Sequence, residues 1–215
     1  MKSIVALTGI LAISLSACAQ NSNSEKTKSK QKEIPKKALE SLQTAVFASG
    51  CFWCVEAVFE SVNGVQEAVS GYSGGQVENP TYEAVCTGST GHAEAVKVYY
   101  DSTVVSYETL LTVFYGSHDP TTLNRQGPDG GTQYRSAIYF QNNEEKMAAK
   151  QFIAKLIEDG KFSKITTEVA PLTVFYPAED YHQNYEASHH DNPYVMNVSV
   201  PRLNRFKKAY PELLK

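Results

Sequence analysis

The sequence of 215 residues has little that suits a membrane interior or a nucleic-acid groove. Its apolar run near the N-terminus, Ile4 to Leu15, is too short to cross a bilayer, which takes about 20 apolar residues. A net charge of −3 excludes the overall basic character that phosphate backbones select, so nucleic acid is not an expected partner. Cysteine is scarce: Cys18, Cys51, Cys54 and Cys86 are the full set. Three of them follow residue 18, and an odd number argues against a purely structural disulfide framework. A zinc site would need two more soft ligands at suitable spacing; no Cys or His supplies them at a ribbon-like interval, so no metal is expected. Tryptophan occurs once, at Trp53. Repeats and low-complexity blocks are absent.

What is there begins with a charge asymmetry. Residues 19–40 hold six Lys and three Glu, and Lys2 adds one more cation, so residues 41–215 carry a net −7. The basic part is a tail ahead of a mildly acidic body. Lys2, the apolar run and Leu15-Ser16-Ala17-Cys18 read as a signal segment over 1–17 with small residues before the cleavage point. The tetrad resembles a bacterial lipobox, which implies lipid on the Cys18 sulfur. Acyl chains anchor because each buried methylene contributes about 0.8 kcal/mol. Residues 18–40, rich in Asn, Ser and Lys, then read as lipid-anchor cysteine and flexible tether, and 41–215 as one domain with a C-terminal extension. The expected location is the bacterial cell envelope, as a membrane lipoprotein facing the periplasm or the outer surface.

Periodicity organises the body. Ala45 to Ala48 predict a short buried strand ending at Ser49-Gly50. A helix follows from near Cys51, with Phe52, Val55, Phe59 and Val62 on one face, and Asn63-Gly64 stop it. Strands are predicted over Val65–Tyr72, Ala93–Tyr100, Ser136–Phe140 and near Thr166–Ala170, with a short turn or helix around Pro80–Val85. Further helices run from a Ser106 cap to Gly116 and from Asn143 to Glu158. The order βαββαβαβ predicts an α/β or α+β sandwich, a mixed central sheet flanked by helices. Residues 117–134 form a loop long enough to be a functional candidate.

Cys51 sits where a strand hands over to a helix. Free N–H groups and partial positive charge there favour a thiolate, which is the nucleophilic form. Position alone leaves two readings open, a reactive thiol or a buried structural one. Cys54 lies three residues on, about 5–6 Å away between Cβ atoms on a helix, near the range a disulfide bridges. A thioredoxin-like oxidoreductase, a Cys–His hydrolase using His92 or His182, and a binding lipoprotein all remain open at this point.

Five ordered blocks narrow the choice. Gly50-Cys51-Phe52-Trp53-Cys54 with Glu56, Gly88-Ser89-Thr90-Gly91-His92-Ala93-Glu94, Asn124-Arg125-Gln126-Gly127, Gly131-Thr132-Gln133-Tyr134-Arg135-Ser136 and Ala178-Glu179-Asp180-Tyr181-His182-Gln183 resemble the A-type peptide methionine sulfoxide reductases. The resemblance spans roughly 44–190. It implies a ferredoxin-like core and reduction of the S epimer of methionine sulfoxide, free or in oxidised proteins and peptides. It needs no bound cofactor: thioredoxin, or dithiothreitol in its place, supplies the electrons. It implies Cys51 as nucleophile, Glu94 as acid, Tyr82 and Tyr134 as hydrogen-bond donors to the sulfoxide oxygen, Phe52 and Trp53 as the seat of the substrate methyl, and Asp129 as a substrate-backbone contact. Glu94 has support of its own, since alternation puts it on the face of Val96 and Val98, where desolvation raises a carboxyl pKa. Some relatives carry recycling cysteines in the tail. Here no Cys follows Cys86, which leaves Cys54 as resolving thiol and Cys86 as second choice. The expected enzyme is a monomer that repairs oxidised envelope proteins with a thioredoxin-like donor.

Overall fold

The computed structural model describes Leu39 and residues 41–215. The signal segment, Cys18 and the tether therefore lie outside the described residues, apart from Leu39.

Strand β1 (Gln43–Ser49) forms the middle of the sheet because its run Ala45-Val46-Phe47-Ala48 is apolar on both faces, and every one of these residues is buried. It pairs antiparallel with β3 (Ala93–Tyr100) on one side and β6 (Ser136–Phe140) on the other. Strand β2 (Val65–Ser73) adds antiparallel to β3. Helix α1 (Phe52–Glu60) joins β1 to β2, and α3 (Tyr107–Ser117) follows β3, with its N-terminus capped by Ser106 accepting from the Thr109 N–H. The four strands stand in the order β6–β1–β3–β2 with this βαββαβ connectivity, the ferredoxin-like arrangement the resemblance implied. Two strands extend it. Strand β7 (Glu168–Pro171) pairs parallel with β6, and β8 (Phe175–Pro177) closes the far edge against β2.

Period-2 patterning decides the faces. Val96 and Val98 turn into the main core with Phe47, Phe59, Leu110 and Phe114, while Ala93 and Ala95 turn to the opposite face with Ala137 and Tyr139. Phe59 is fully buried and stacks on Phe47 with ring centroids 5.0 Å apart; Phe114 stacks on the same ring at 5.3 Å. Helix α4 (Asn143–Glu158) starts at Asn142, whose side chain caps the Glu145 N–H.

Two parts differ from expectation. The 117–134 loop is not bare: it holds a two-residue hairpin, β4 (Arg125–Gln126) with β5 (Asp129–Gly130), and a 3-10 turn over Thr132–Tyr134. Thr166 pins its start by bonding the carbonyls of Pro120 and Thr122. The chain beyond β8, unassigned by periodicity, also contains a short helix α5 (Tyr185–Ser188), a wide π-type turn over Val195–Ser199 and helix α6 (Val200–Ala209). Helix α2 (Tyr82–Cys86) is the short element expected near Val85.

Phe59→Ala should lower the unfolding free energy by about 3–5 kcal/mol in urea titration, because the stacked cluster cannot close over the void. Phe59→Leu should cost clearly less.

Candidate active site

Gly50 makes the turn from β1 into α1. Its φ is +88°, and a Cβ there would stand 2.6 Å from Gln126 Cβ, so a side chain at 50 would be strained and would also push the 125–130 hairpin away. Cys51 is the N-cap of α1, with backbone outside helical dihedrals and no side-chain capping bond. It is 7% exposed.

Glu94 comes to the same place from the N-terminal end of β3. It is 1% exposed, and its Oε2 accepts the Phe52 N–H at 3.0 Å. The carboxyl therefore occupies the helix-terminal donor next to Cys51. Burial pushes its pKa up to about 8, against the lowering effect of that bond. A neutral, proton-bearing carboxyl at pH 7 is the consequence, as the strand alternation predicted.

Around this pair stand the other predicted residues. Phe52 is buried, its ring meeting Tyr72, Tyr82, Trp53 and His182 at centroid distances of 5.0–6.2 Å. Trp53 is half-buried, stacked on Tyr185 at 3.7 Å, and its indole N–H donates to His182 Nδ1 at 3.1 Å. Tyr82 and Tyr134 are half-buried; burial and then the nearby Glu94 carboxyl push both hydroxyls up, which keeps them as donors. Glu179 holds Tyr82 in place by accepting its N–H at 3.0 Å while also accepting the Tyr72 hydroxyl at 2.8 Å. Asp129, at the tip of the hairpin, accepts the Tyr194 hydroxyl at 2.6 Å.

Cys51 and Cys54 differ in their surroundings. Burial pushes the Cys51 thiol well above its usual value, and the neighbouring Cys54 reinforces this. Cys54 instead is drawn down to about 7, chiefly by the hydrogen bond it receives from Cys51, with Arg202, Ser199 and Tyr194 helping against burial. Cys86 is exposed at the end of α2 and receives the Tyr82 hydroxyl; burial raises its pKa.

Periodicity missed the contribution of the C-terminal segment. Tyr194 lies 3.9 Å from Cys54 Sγ, and Arg202 on α6 reaches the end of β1. Cys54, Asp129, Tyr194 and Arg202 share a cleft of about 190 Å³. Pro201 in the first helical turn and Lys207-Lys208 in the last were readable helix signals, but nothing in the spacing says where that helix docks. A larger hollow of about 300 Å³ lies behind Trp53, lined by Ala57, Tyr185 and Leu203 among others, and includes none of the cysteines. His92 has both ring nitrogens engaged, by the Gly75 N–H and the Val77 carbonyl, and His182 is committed to Trp53. Neither is arranged as a base for Cys51.

Comparison with known proteins places the chain in a family. Residues 43–213 match the family model described as peptide methionine sulfoxide reductase. The chain is 53% identical over 173 residues to the peptide methionine sulfoxide reductase MsrA of Pasteurella multocida, covering 80% of this chain and 99% of that one. It is 48% identical over 174 residues to the MsrA of Saccharolobus solfataricus, covering 81% and 98%. Among solved structures, reduced Mxr1 from Saccharomyces cerevisiae superposes with a TM-score of 0.68 at 29% identity over 76% of this chain and 92% of that one. Methionine sulfoxide reductase A of Corynebacterium diphtheriae gives 0.61 at 39% identity over 70% and 75%. With a family match across nearly all the described residues and full-length relatives near half identity, the chain belongs to the peptide methionine sulfoxide reductases, in their A type.

Proposed function

We propose that Cys51 takes the oxygen from the S epimer of methionine sulfoxide, with Glu94 as the acid and Cys54 as the resolving thiol. The observation that carries this is the buried, proton-bearing Glu94 carboxyl bonded to the backbone of the residue that follows Cys51. A sulfoxide oxygen is a poor leaving group until protonated, and a carboxyl with a pKa near 8 holds its proton at neutral pH.

The resting hydrogen bond from Cys51 to Cys54 supplies the other half. Cys51 passes its proton to Cys54 and attacks the substrate sulfur as a thiolate. Glu94 protonates the oxygen; the hydroxyl then passes from the substrate sulfur to Cys51 as the sulfur–oxygen bond and the transient sulfur–sulfur bond break, leaving methionine and a Cys51 sulfenic acid. The substrate sulfur is reduced by two electrons and the Cys51 sulfur is oxidised by two. Cys54 then attacks Cys51, its proton leaves with the hydroxyl as water, and a Cys51–Cys54 disulfide remains. Phe52 and Trp53 offer an apolar seat for the methyl, Tyr82 and Tyr134 donate to the oxygen, and Asp129 meets the substrate backbone. A thioredoxin-like dithiol restores the pair. The Leu15-Ser16-Ala17-Cys18 tetrad supports lipid attachment at Cys18 and repair of oxidised envelope proteins.

In a methionine-release assay with dithiothreitol, Cys51→Ser should give no turnover. Cys54→Ser should still turn over with dithiothreitol, more slowly at neutral pH because Cys51 has lost the acceptor of its proton, and should lose most of its thioredoxin-driven rate. Should Cys54→Ser still form an intramolecular disulfide after one turnover, resolution belongs to Cys86. Glu94→Gln should slow the first turnover by about 10²–10⁴-fold; an undiminished rate removes the acid from the mechanism.

The pH dependence has a definite sign. Glu94 must carry its proton, so methionine release should fall as pH rises through about 8, and Glu94→Gln should lack that descending limb. Stability follows the same group. A carboxyl whose folded pKa is raised contributes stability that is present below about 4.5 and lost as pH rises towards 8. Glu94→Gln should therefore gain stability relative to the parent between pH 5 and 9 in denaturant titrations.

Metabolic labelling with palmitate should mark the full-length chain and spare Cys18→Ser, which should also leave the membrane fraction. Equal labelling of both chains would remove the anchor.

A further inference from the structure

The block Ala178-Glu179-Asp180-Tyr181-His182-Gln183 supplies no reacting group, yet His182 within it is 1% exposed and packed into the site. Its ring meets Phe52 at 5.0 Å, Tyr82 at 4.3 Å and Tyr181 at 4.1 Å between centroids. One directional bond reaches it, from the Trp53 indole N–H to Nδ1 at 3.1 Å. A ring nitrogen that accepts carries no proton, so the proton of the neutral imidazole sits on Nε2. Nε2 has no hydrogen-bond partner among the described residues and faces Glu179 Oε2 at 4.0 Å. A carboxylate on that side favours the same tautomer. Burial pushes the His182 pKa down, against Glu179 and Glu83, which keeps the ring neutral.

The turn that carries His182 is fixed at both ends. Glu179 accepts the Tyr82 N–H at 3.0 Å and the Tyr72 hydroxyl at 2.8 Å. Gln183 takes both backbone groups of Ser70 on β2, accepting its N–H at 2.9 Å and donating to its carbonyl at 3.0 Å. Trp53 is less constrained by its packing. It stacks on Tyr185 at 3.7 Å with the rings 9° from parallel, a contact that tolerates sliding in the ring plane. The hollow of about 300 Å³ adjoins it on the side away from the cysteines. The bond to His182 selects one orientation among those that stacking allows.

We propose that His182 is a positioning residue for substrate specificity: its Nδ1 holds the Trp53 indole beside Phe52 as a fixed wall of the methyl seat, so that a methyl sulfoxide fits and a larger alkyl sulfoxide is refused. This rests on the reading of Phe52 and Trp53 as that seat. Without the acceptor the indole keeps its stacking partner and gives way into the hollow, and the seat enlarges. One extra methylene changes kcat/KM in an apolar pocket by about 10–200-fold. Against a yielding wall that difference shrinks.

The test compares kcat/KM for peptides carrying the S epimers of methionine sulfoxide and ethionine sulfoxide, with dithiothreitol as reductant. It is paired with the fluorescence anisotropy decay of Trp53, the only tryptophan in the chain. The parent should favour the methyl substrate by at least about tenfold. H182L, which lacks the acceptor, should cut that preference by at least about fivefold and add a fast component to the decay. H182N, whose amide oxygen replaces Nδ1, should keep most of the preference and the slow decay. A merely structural role for His182 would lower kcat/KM for both substrates by one factor and leave their ratio intact, which overturns the proposal. So does a lower ratio with parental Trp53 anisotropy, or a parent that takes both alkyl groups equally. W53L separates the two readings. If it keeps the parental ratio, the methyl seat lies elsewhere; if it loses the ratio while H182L keeps it, the seat stands and only the role of His182 falls. NMR of the imidazole nitrogens in the parent needs no variant to fold, and a His182 proton found on Nδ1 overturns the proposal.

Discussion

The site depends on one interaction, the hydrogen bond from the Phe52 amide to the buried Glu94 carboxyl. It joins the first turn of α1 to the N-terminal end of β3, two segments that the sheet brings together through the β1–β3 ladder. It also sets the electrostatics. By accepting a helix-terminal N–H, the Glu94 carboxyl is held against the start of α1, and burial keeps its proton on. A single constraint thus holds a buried, neutral carboxyl against the residue that follows Cys51.

Burial is the common cause behind the remaining chemistry. Cys51, Cys54, Glu94 and Arg202 are each under a tenth exposed, so water cannot level their charges and each responds to its nearest partner. Around them aromatic rings exclude solvent: Phe52 and Trp53 from α1, Tyr82 from α2, Tyr185 and Tyr194 from the C-terminal segment. That segment is tied down by buried acids away from the reacting atoms. Glu56 of α1 accepts from the Ser70 hydroxyl and the Asn184 amide, and Glu186 accepts from the Ser199 hydroxyl. Burial raises both carboxyls, Glu56 to about 8. These bonds fix the path of the chain that delivers Tyr194 and Arg202.

Much of the fold could be read in advance because its signals are local. The apolar run of β1, the alternation of β3 and the capping residues Ser106 and Asn142 each act within a few residues of themselves, and their elements lie where the patterns put them. Glu94 was legible for the same reason, since period-2 counting states which face of a strand a side chain takes. The short strand β8 and helix α6 were not. β8 has three residues and exists because the open edge of β2 accepts it. Helix α6 carries mostly polar residues, and its two buried side chains, Arg202 and Phe206, mark no stripe wide enough to recognise.

The sequence by itself determined the order of the core elements, the placing of Cys51 at a strand-to-helix turn, the spacing of Cys54 and the apolar face that buries Glu94, because these follow from backbone periodicity and near-neighbour chemistry. Only the tertiary structure decided what surrounds the two thiols. That depends on a donor taken by a residue 42 positions away in sequence and on a guanidinium 148 positions beyond Cys54. The energy of an ion in a dry site is set by distances through space, and those distances exist only once the chain has closed on itself.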